Sequence, residues 1–150
     1  RLEPEKGLGV AVAACAQAGV ALLVAGEGSQ RAVHEGAPGV TFTGRVDAAE
    51  LARLRAGARL AVMPSLTSET FGLAAAESMA AGLPVAASDI GALGELVPRE
   101  WLSSPGDAAG LARTIEALAG DPSAGETALR TARDRLDPAR IASTLAAVYS

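Results

Sequence analysis

Short unbroken apolar runs, each followed by a stretch long enough for a helix, recur along most of this chain. Residues 20–25 (VALLVA) form one such run, closed by Gly26, and residues 40–43 (VTFT), 60–63 (LAVM) and 85–87 (VAA) repeat it. A run without polar alternation predicts a strand buried on both faces, as in a parallel sheet with helices on each side. Helices are expected over residues 7–18, 48–56 and 73–81. The second has Asp47 as its N-cap with Glu50 placed to close a capping box, and the third stops at Gly82 before Pro84. Strands separated by helices of this length imply βαβ units and an α/β fold with helices on both faces of a parallel sheet.

The last third changes character. A short apolar piece at Trp101-Leu102 leads into Ser104-Pro105-Gly106-Asp107, a turn that caps a helix over residues 108–119. Gly120-Asp121-Pro122 ends that helix, and two more, roughly 125–135 and 138–149, make a helical C-terminal tail. The 150 residues contain no repeat and no linker, so 1–150 reads as a single domain with one core. The front is incongruous. Arg1 opens a polar turn, RLEPEKG, of the kind that follows a strand, and no strand stands before it. The expectation is a fragment lacking its first strand.

Composition narrows the function classes. Apolar residues make up 49% of the chain, which excludes disorder as its general state. Aromatics are only 3%, and the abundant alanine favours close helix-on-sheet packing over an aromatic-lined groove. The net charge is −4 and the basic residues do not cluster, which argues against a nucleic-acid partner. No apolar run approaches the roughly 20 residues of a membrane span, and no secretory leader opens the sequence. Cys15 is the single cysteine, read as a small core residue, and a cytoplasmic location is expected. Lys6 is the single lysine among 13 basic residues.

Three groups of residues could carry chemistry. The first is Pro64-Ser65-Leu66-Thr67-Ser68-Glu69-Thr70-Phe71-Gly72-Leu73 with Glu77 beyond it. Glu69 falls in the loop after a strand, and a helix begins at Phe71-Gly72-Leu73, whose free N–H groups suit a phosphate or an oxygen-rich ligand. Glu77 lies about two helical turns on, among alanines, and is expected to be partly buried with a partner such as bound hydroxyl groups. The plain alternative makes Glu69 a helix cap and Glu77 a solvated residue. The second group is Arg1 and Lys6, two cations at a helix N-terminus that an anion between them would reconcile; a charged surface turn neutralised by Glu3 and Glu5 is the alternative. The third, Gly26-Glu27-Gly28 with Asp47 about twenty residues on, imitates a dinucleotide fingerprint. It fails because the third glycine position holds Arg31. His34 has no metal-ligand spacing and reads as a surface residue, and Ser88-Asp89 reads as a turn.

Joined in order, these pieces resemble glycosyltransferase family 4, retaining nucleotide-sugar transferases of the GT-B fold. The likeness rests on Arg1-x4-Lys6-Gly7, Gly26-Glu27-Gly28, Val40-Thr41-Phe42-Thr43-Gly44, Pro64-Ser65-x3-Glu69-x-Phe71-Gly72-Leu73, Glu77-Ser78-Met79-Ala80-Ala81-Gly82-Leu83-Pro84-Val85 and Ser88-Asp89-Ile90-Gly91. The resemblance implies the C-terminal, donor-binding half of a GT-B fold, Rossmann-like, without the N-terminal acceptor domain. It implies that Arg1 and Lys6 hold the donor diphosphate, that Glu69 with Phe71, Gly72 and Leu73 positions sugar and phosphate, and that Glu77 accepts the ribose hydroxyls. Arg45 and Val46 would lie against the base, and Gly26 would line the nucleotide site. It further implies no metal and no cofactor, a nucleoside-diphosphate sugar as donor, and an acceptor held mainly by the missing domain. Peripheral membrane association of the parent stays open. Two alternatives also remain at this point: a related GT-B phosphorylase or sugar-nucleotide epimerase, and a module that binds a nucleotide sugar without transferring it. The chain departs from the family pattern in the short stretch 29–38, in Pro98-Arg99-Glu100-Trp101-Leu102, and at Gly91-Ala92 where a glycine pair is usual.

Overall fold

The computed structural model describes residues 1–137; the last expected helix, over 138–149, lies outside them. Among the described residues, helices and strands alternate as α1 (Leu8–Gln17), β1 (Leu22–Ala25), α2 (Gln30–His34), β2 (Val40–Gly44) and α3 (Ala48–Gly57). They continue as β3 (Ala61–Met63), α4 (Leu73–Ala80), β4 (Val85–Ser88), α5 (Ala92–Leu96), β5 (Leu102–Ser103), α6 (Ala108–Gly120) and α7 (Ala124–Leu136). Short 3-10 turns, Pro4–Lys6 and Arg99–Trp101, precede α1 and β5. All strand pairs are parallel, as the alternation predicts.

Helix ends follow their local chemistry. Oδ1 of Asp47 accepts from the Glu50 N–H at 2.8 Å, and Oδ1 of Asp107 accepts from the Gly110 N–H at 2.8 Å; caps of this kind contribute about 1 kcal/mol each. The expected capping box is only half built, because the Glu50 side chain turns to Arg53. α5 went unforeseen: the sequence reads as a turn at Ser88-Asp89, and the helix that follows spans only Ala92–Leu96.

Two features differ from expectation. The strands form two sheets, β1–β2 and β3–β4–β5, instead of one continuous sheet. Burial on both faces holds for β4 alone. Val85, Ala86 and Ala87 are 0% exposed there because β4 has a strand on each side and helices above and below. β3 has one neighbour and is half-buried throughout, while in β1 Leu23 is 48% exposed. A strand with one free edge has less to cover it.

The main core lies around β4. It joins Met79 of α4, Leu93 of α5, Leu111 and Ile115 of α6, and Val85 and Val97, all essentially inaccessible. Alanine sets the helix spacing: Ala75 and Ala76 of α4 and Ala124, Ala128 and Ala132 of α7 are buried where those helices meet. Side chains this small let helices pack closely. Cys15 is buried on α1, which packs against α6, and burial pushes its thiol pKa up. It behaves as a core residue.

Candidate functional site

The site begins with the chain's first turn. Residues 2–6 lie across the C-terminal ends of two strands belonging to different sheets. The Leu2 N–H donates to the Glu27 carbonyl beyond β1 (2.9 Å), and the Gln30 N–H donates to the Leu2 carbonyl (2.9 Å). On the other side, the Leu66 N–H beyond β3 donates to the Glu5 carbonyl (2.8 Å). The turn passes into α1 through Gly7, at φ +69°, where a Cβ would sit 1.9 Å from the Pro64 carbonyl oxygen. No other residue fits that conformation and that approach. The Lys6 side chain is thereby delivered to the loop after β3.

There Lys6 donates to Oε1 of Glu69. The hydroxyl of Ser65, a buried residue, donates to the same oxygen at 3.2 Å. The Lys6 and Glu69 side chains are 34% and 25% exposed, so the pair stands at the rim of the fold, open to a ligand. The Lys6 hydrogen bond holds the Glu69 carboxyl below the usual glutamate range; burial opposes this, and the Lys6 charge and Ser65 reinforce it. The Glu69 backbone is also tied down. Its carbonyl accepts from the Ala92 N–H at 2.8 Å, and a Cβ at Gly91 would come within 2.6 Å of that oxygen. Three residues on, α4 begins behind a buried Gly72 that supplies no side-chain cap. The first-turn N–H groups therefore lack partners from within the helix. Phe71 and Leu73 flank them, 81% and 67% exposed.

Glu77 is placed otherwise than expected. It is not partly buried: its side chain is 46% exposed, and its Oε2 accepts from the Arg55 guanidinium at 2.6 Å. Its alanine neighbours are too small to cover it, and α4 turns Ala75, Ala76, Ser78 and Met79 inward instead. The expectation of a partner holds, but the partner is a protein cation.

Of the remaining expected positions, Gly26 is half-buried at the end of β1, donating its N–H to the Gly44 carbonyl at 2.8 Å. Arg45 is exposed and Val46 half-buried in the link from β2 to α3, and Arg1 is exposed at the start of the first turn. The structure thus joins Lys6 and Glu69 directly, with the start of α4 beside them in the chain. Glu77 is paired separately, with Arg55. Two residues had no role in the sequence reading: Ser65, whose signal was its place directly after an expected strand and Pro64, and Arg55, which carried no signal. Among the described residues, no three His, Cys, Asp or Glu side chains gather as metal ligands, and no helix is long and apolar enough to cross a membrane.

Comparison with known proteins gives the family and the fold. The chain is 38% identical to a glycogen synthase of Mycobacterium tuberculosis over 99% of its own length and 40% of that enzyme's. It is 37% identical to a 2-deoxystreptamine glucosyltransferase of Streptomyces kanamyceticus, over 91% of the chain and 39% of the relative. The chain therefore spans about 40% of the length of these relatives. Among solved structures, Anabaena HepE in complex with UDP superposes with a TM-score of 0.79 at 27% identity, over 98% of this chain and 47% of that one. The sucrose-phosphate synthase of Thermosynechococcus elongatus gives 0.78 at 30% identity, over 99% and 43%. The GT-B architecture of the resemblance is the one these structures share with the chain. Residues 1–121 match the family of glycosyl transferases group 1, and the chain belongs to that family.

Proposed function

We propose that this chain is the donor-binding part of a retaining glycosyltransferase, which moves a sugar from a nucleoside diphosphate to an acceptor. An N-terminal domain beyond this sequence would carry most of the acceptor surface. The observation that carries the reading is the pairing of Lys6 with Glu69 immediately before the uncapped start of α4. A cation and unpartnered N–H groups suit the diphosphate of such a donor, and a carboxylate suits the hydroxyls of its sugar, on the two sides of the bond that breaks. HepE has been crystallised with UDP and with UDP-glucose, which supports a nucleoside-diphosphate sugar as the ligand class.

In this reading Lys6 and Arg1 bear on the diphosphate. Lys6 is a compact point charge beside the leaving group, and charge placed where it develops lowers the barrier without a metal. The α4 N–H groups of Gly72 and Leu73 add the positive end of a dipole. Glu69, held by Lys6 and Ser65, accepts from hydroxyls of the transferred sugar. Glu77 accepts from the ribose, and Arg45 and Val46 lie against the base. Attack from the leaving-group face retains configuration without a protein nucleophile. The spacing of Glu69 and Glu77 is therefore not the carboxylate spacing of a glycosidase.

Calorimetric titration with ADP, GDP and UDP, with and without EDTA, tests this. Binding of one of them that survives chelation is expected. Binding lost to EDTA and restored by magnesium would replace the reading with a metal-dependent one, and no binding by the full-length protein would end it.

A further inference from the structure

We infer that Arg55 is a positioning residue, holding the Glu77 carboxylate in place for the ribose of the donor. The inference rests on the ribose role proposed for Glu77. That role asks a carboxylate to keep one orientation, and Glu77 is only half-buried on the outer face of α4. Its side chain is 46% exposed, and Ala74 and Ala80 on the same face are small. Arg55 supplies the constraint. Its side chain is only 19% exposed and donates to Oε2 at 2.6 Å. A planar guanidinium is preorganised for a carboxylate in a way that an ammonium is not.

The direction of approach matters as much as the contact. Arg55 belongs to the last turn of α3, which runs from the end of β2 down to the start of β3. It lines a surface hollow with Arg59, Gly82 and Pro84, at the beginnings of β3 and β4. Lys6, Glu69 and the start of α4 stand at the opposite ends of the strands. Arg55 therefore grips Glu77 from below and occupies one oxygen. The other oxygen, Oε1, stays available for the adjacent donors of a ribose diol. A half-exposed ion pair contributes little to stability, so its effect should be read in ligand selectivity.

The test compares ADP, GDP and UDP with their 2′-deoxy analogues, by titration of the full-length protein and of its Arg55→Met, Arg55→Lys and Glu77→Gln variants, each checked for folding by circular dichroism. Arg55→Met should lower affinity for the ribonucleotide about 3- to 10-fold, leave the deoxy form nearly unchanged, and shrink the ratio between them. Arg55→Lys should restore part of that ratio. Arg55→Met added to Glu77→Gln should cost nothing further. If Arg55→Met lowers both forms equally, leaves both unchanged, or tightens the ribonucleotide, the inference is overturned. If Glu77→Gln keeps the parent's ratio, the ribose reading itself fails. A ratio lost at Glu77 but kept at Arg55 sinks only the present inference.

Discussion

Lys6 and Glu69 meet across 63 positions of sequence, the lysine donating to a carboxylate oxygen that also accepts from Ser65. Their meeting needs two separate pieces of backbone to be held in place. The first turn is fastened to the ends of β1 and β3, and the Glu69 loop is fastened to the start of α5. The pair is thus a property of the fold, and three kinds of measurement can probe it.

The first is pH. The Glu69 carboxyl sits below its ordinary value because Lys6 hydrogen-bonds to it. A group whose acid is strengthened by folding stabilises the fold above its unfolded value, and that contribution is lost as pH falls through the folded value. Glu69→Gln should therefore lower the urea midpoint near neutral pH, and the gap between parent and variant should close below about pH 4. A gap that stays constant from neutral to acid would mean that the ionised carboxylate is not what the pair depends on.

The second is steric. Gly7→Ala must place a methyl group 1.9 Å from the Pro64 carbonyl oxygen, from a backbone at φ +69°. The turn carrying Lys6 would have to leave the β3 loop. A loss of about 2 kcal/mol or more is expected by urea denaturation, with weaker nucleoside-diphosphate binding accompanying it. A variant as stable as the parent would show that this close approach is not kept in solution.

Much of this was legible in the sequence, for reasons particular residues make plain. The apolar runs at 20–25 and 85–87, short and closed by turn residues, read as strands, and Asp47, Asp107 and Gly82 mark helix ends by their own chemistry. The residues alone left Lys6 and Glu69 in separate groups, each with a plain alternative reading. Only the resemblance to glycosyltransferase family 4 implied one donor site for both; the structure pairs the two side chains. Burial was not legible. VALLVA and VAA look alike in composition, but β1 has one neighbouring strand and β4 has two, and that depends on the whole sheet. Nor was the partner of Glu77. Arg55 lies 22 residues before it on an ordinary charged helix, and nothing local distinguishes it from Arg53, which pairs within α3 instead.

The third measurement separates the two glutamates. Glu77→Ala removes the proposed ribose acceptor, which a free nucleotide and a sugar nucleotide share. It should weaken both by about 10- to 150-fold, the range for a hydrogen bond to a charged group. Glu69→Ala instead releases Lys6 from its ion pair, so nucleoside-diphosphate affinity should be no weaker than the parent's. Turnover of the full-length protein should still fall, because the reacting sugar loses its positioning contact. Equal losses of diphosphate affinity in both variants would show that the two carboxylates do not divide the donor as proposed.

The last prediction concerns the division of the sheet. Among the described residues, β1–β2 and β3–β4–β5 are separate, and β1 and β3 each have one paired edge. Both strands are less buried than β4, down to an exposed leucine, Leu23, in β1. The first turn, residues 2–6, is hydrogen-bonded to the loops that follow both. We propose that an extended segment leading into Arg1 lies between β1 and β3, parallel to each, and joins the two sheets. Such a strand would satisfy two rows of unpaired backbone groups. Extending the chain upstream by about 10 residues, a strand and a turn, with the parent protein's own sequence should raise the melting temperature and solubility. An extension of equal length in glycine and serine should not, since it has no apolar side chains to bury and a high entropy cost of ordering. If the native extension leaves the melting temperature unchanged, no upstream strand joins β1 to β3, and the proposal fails.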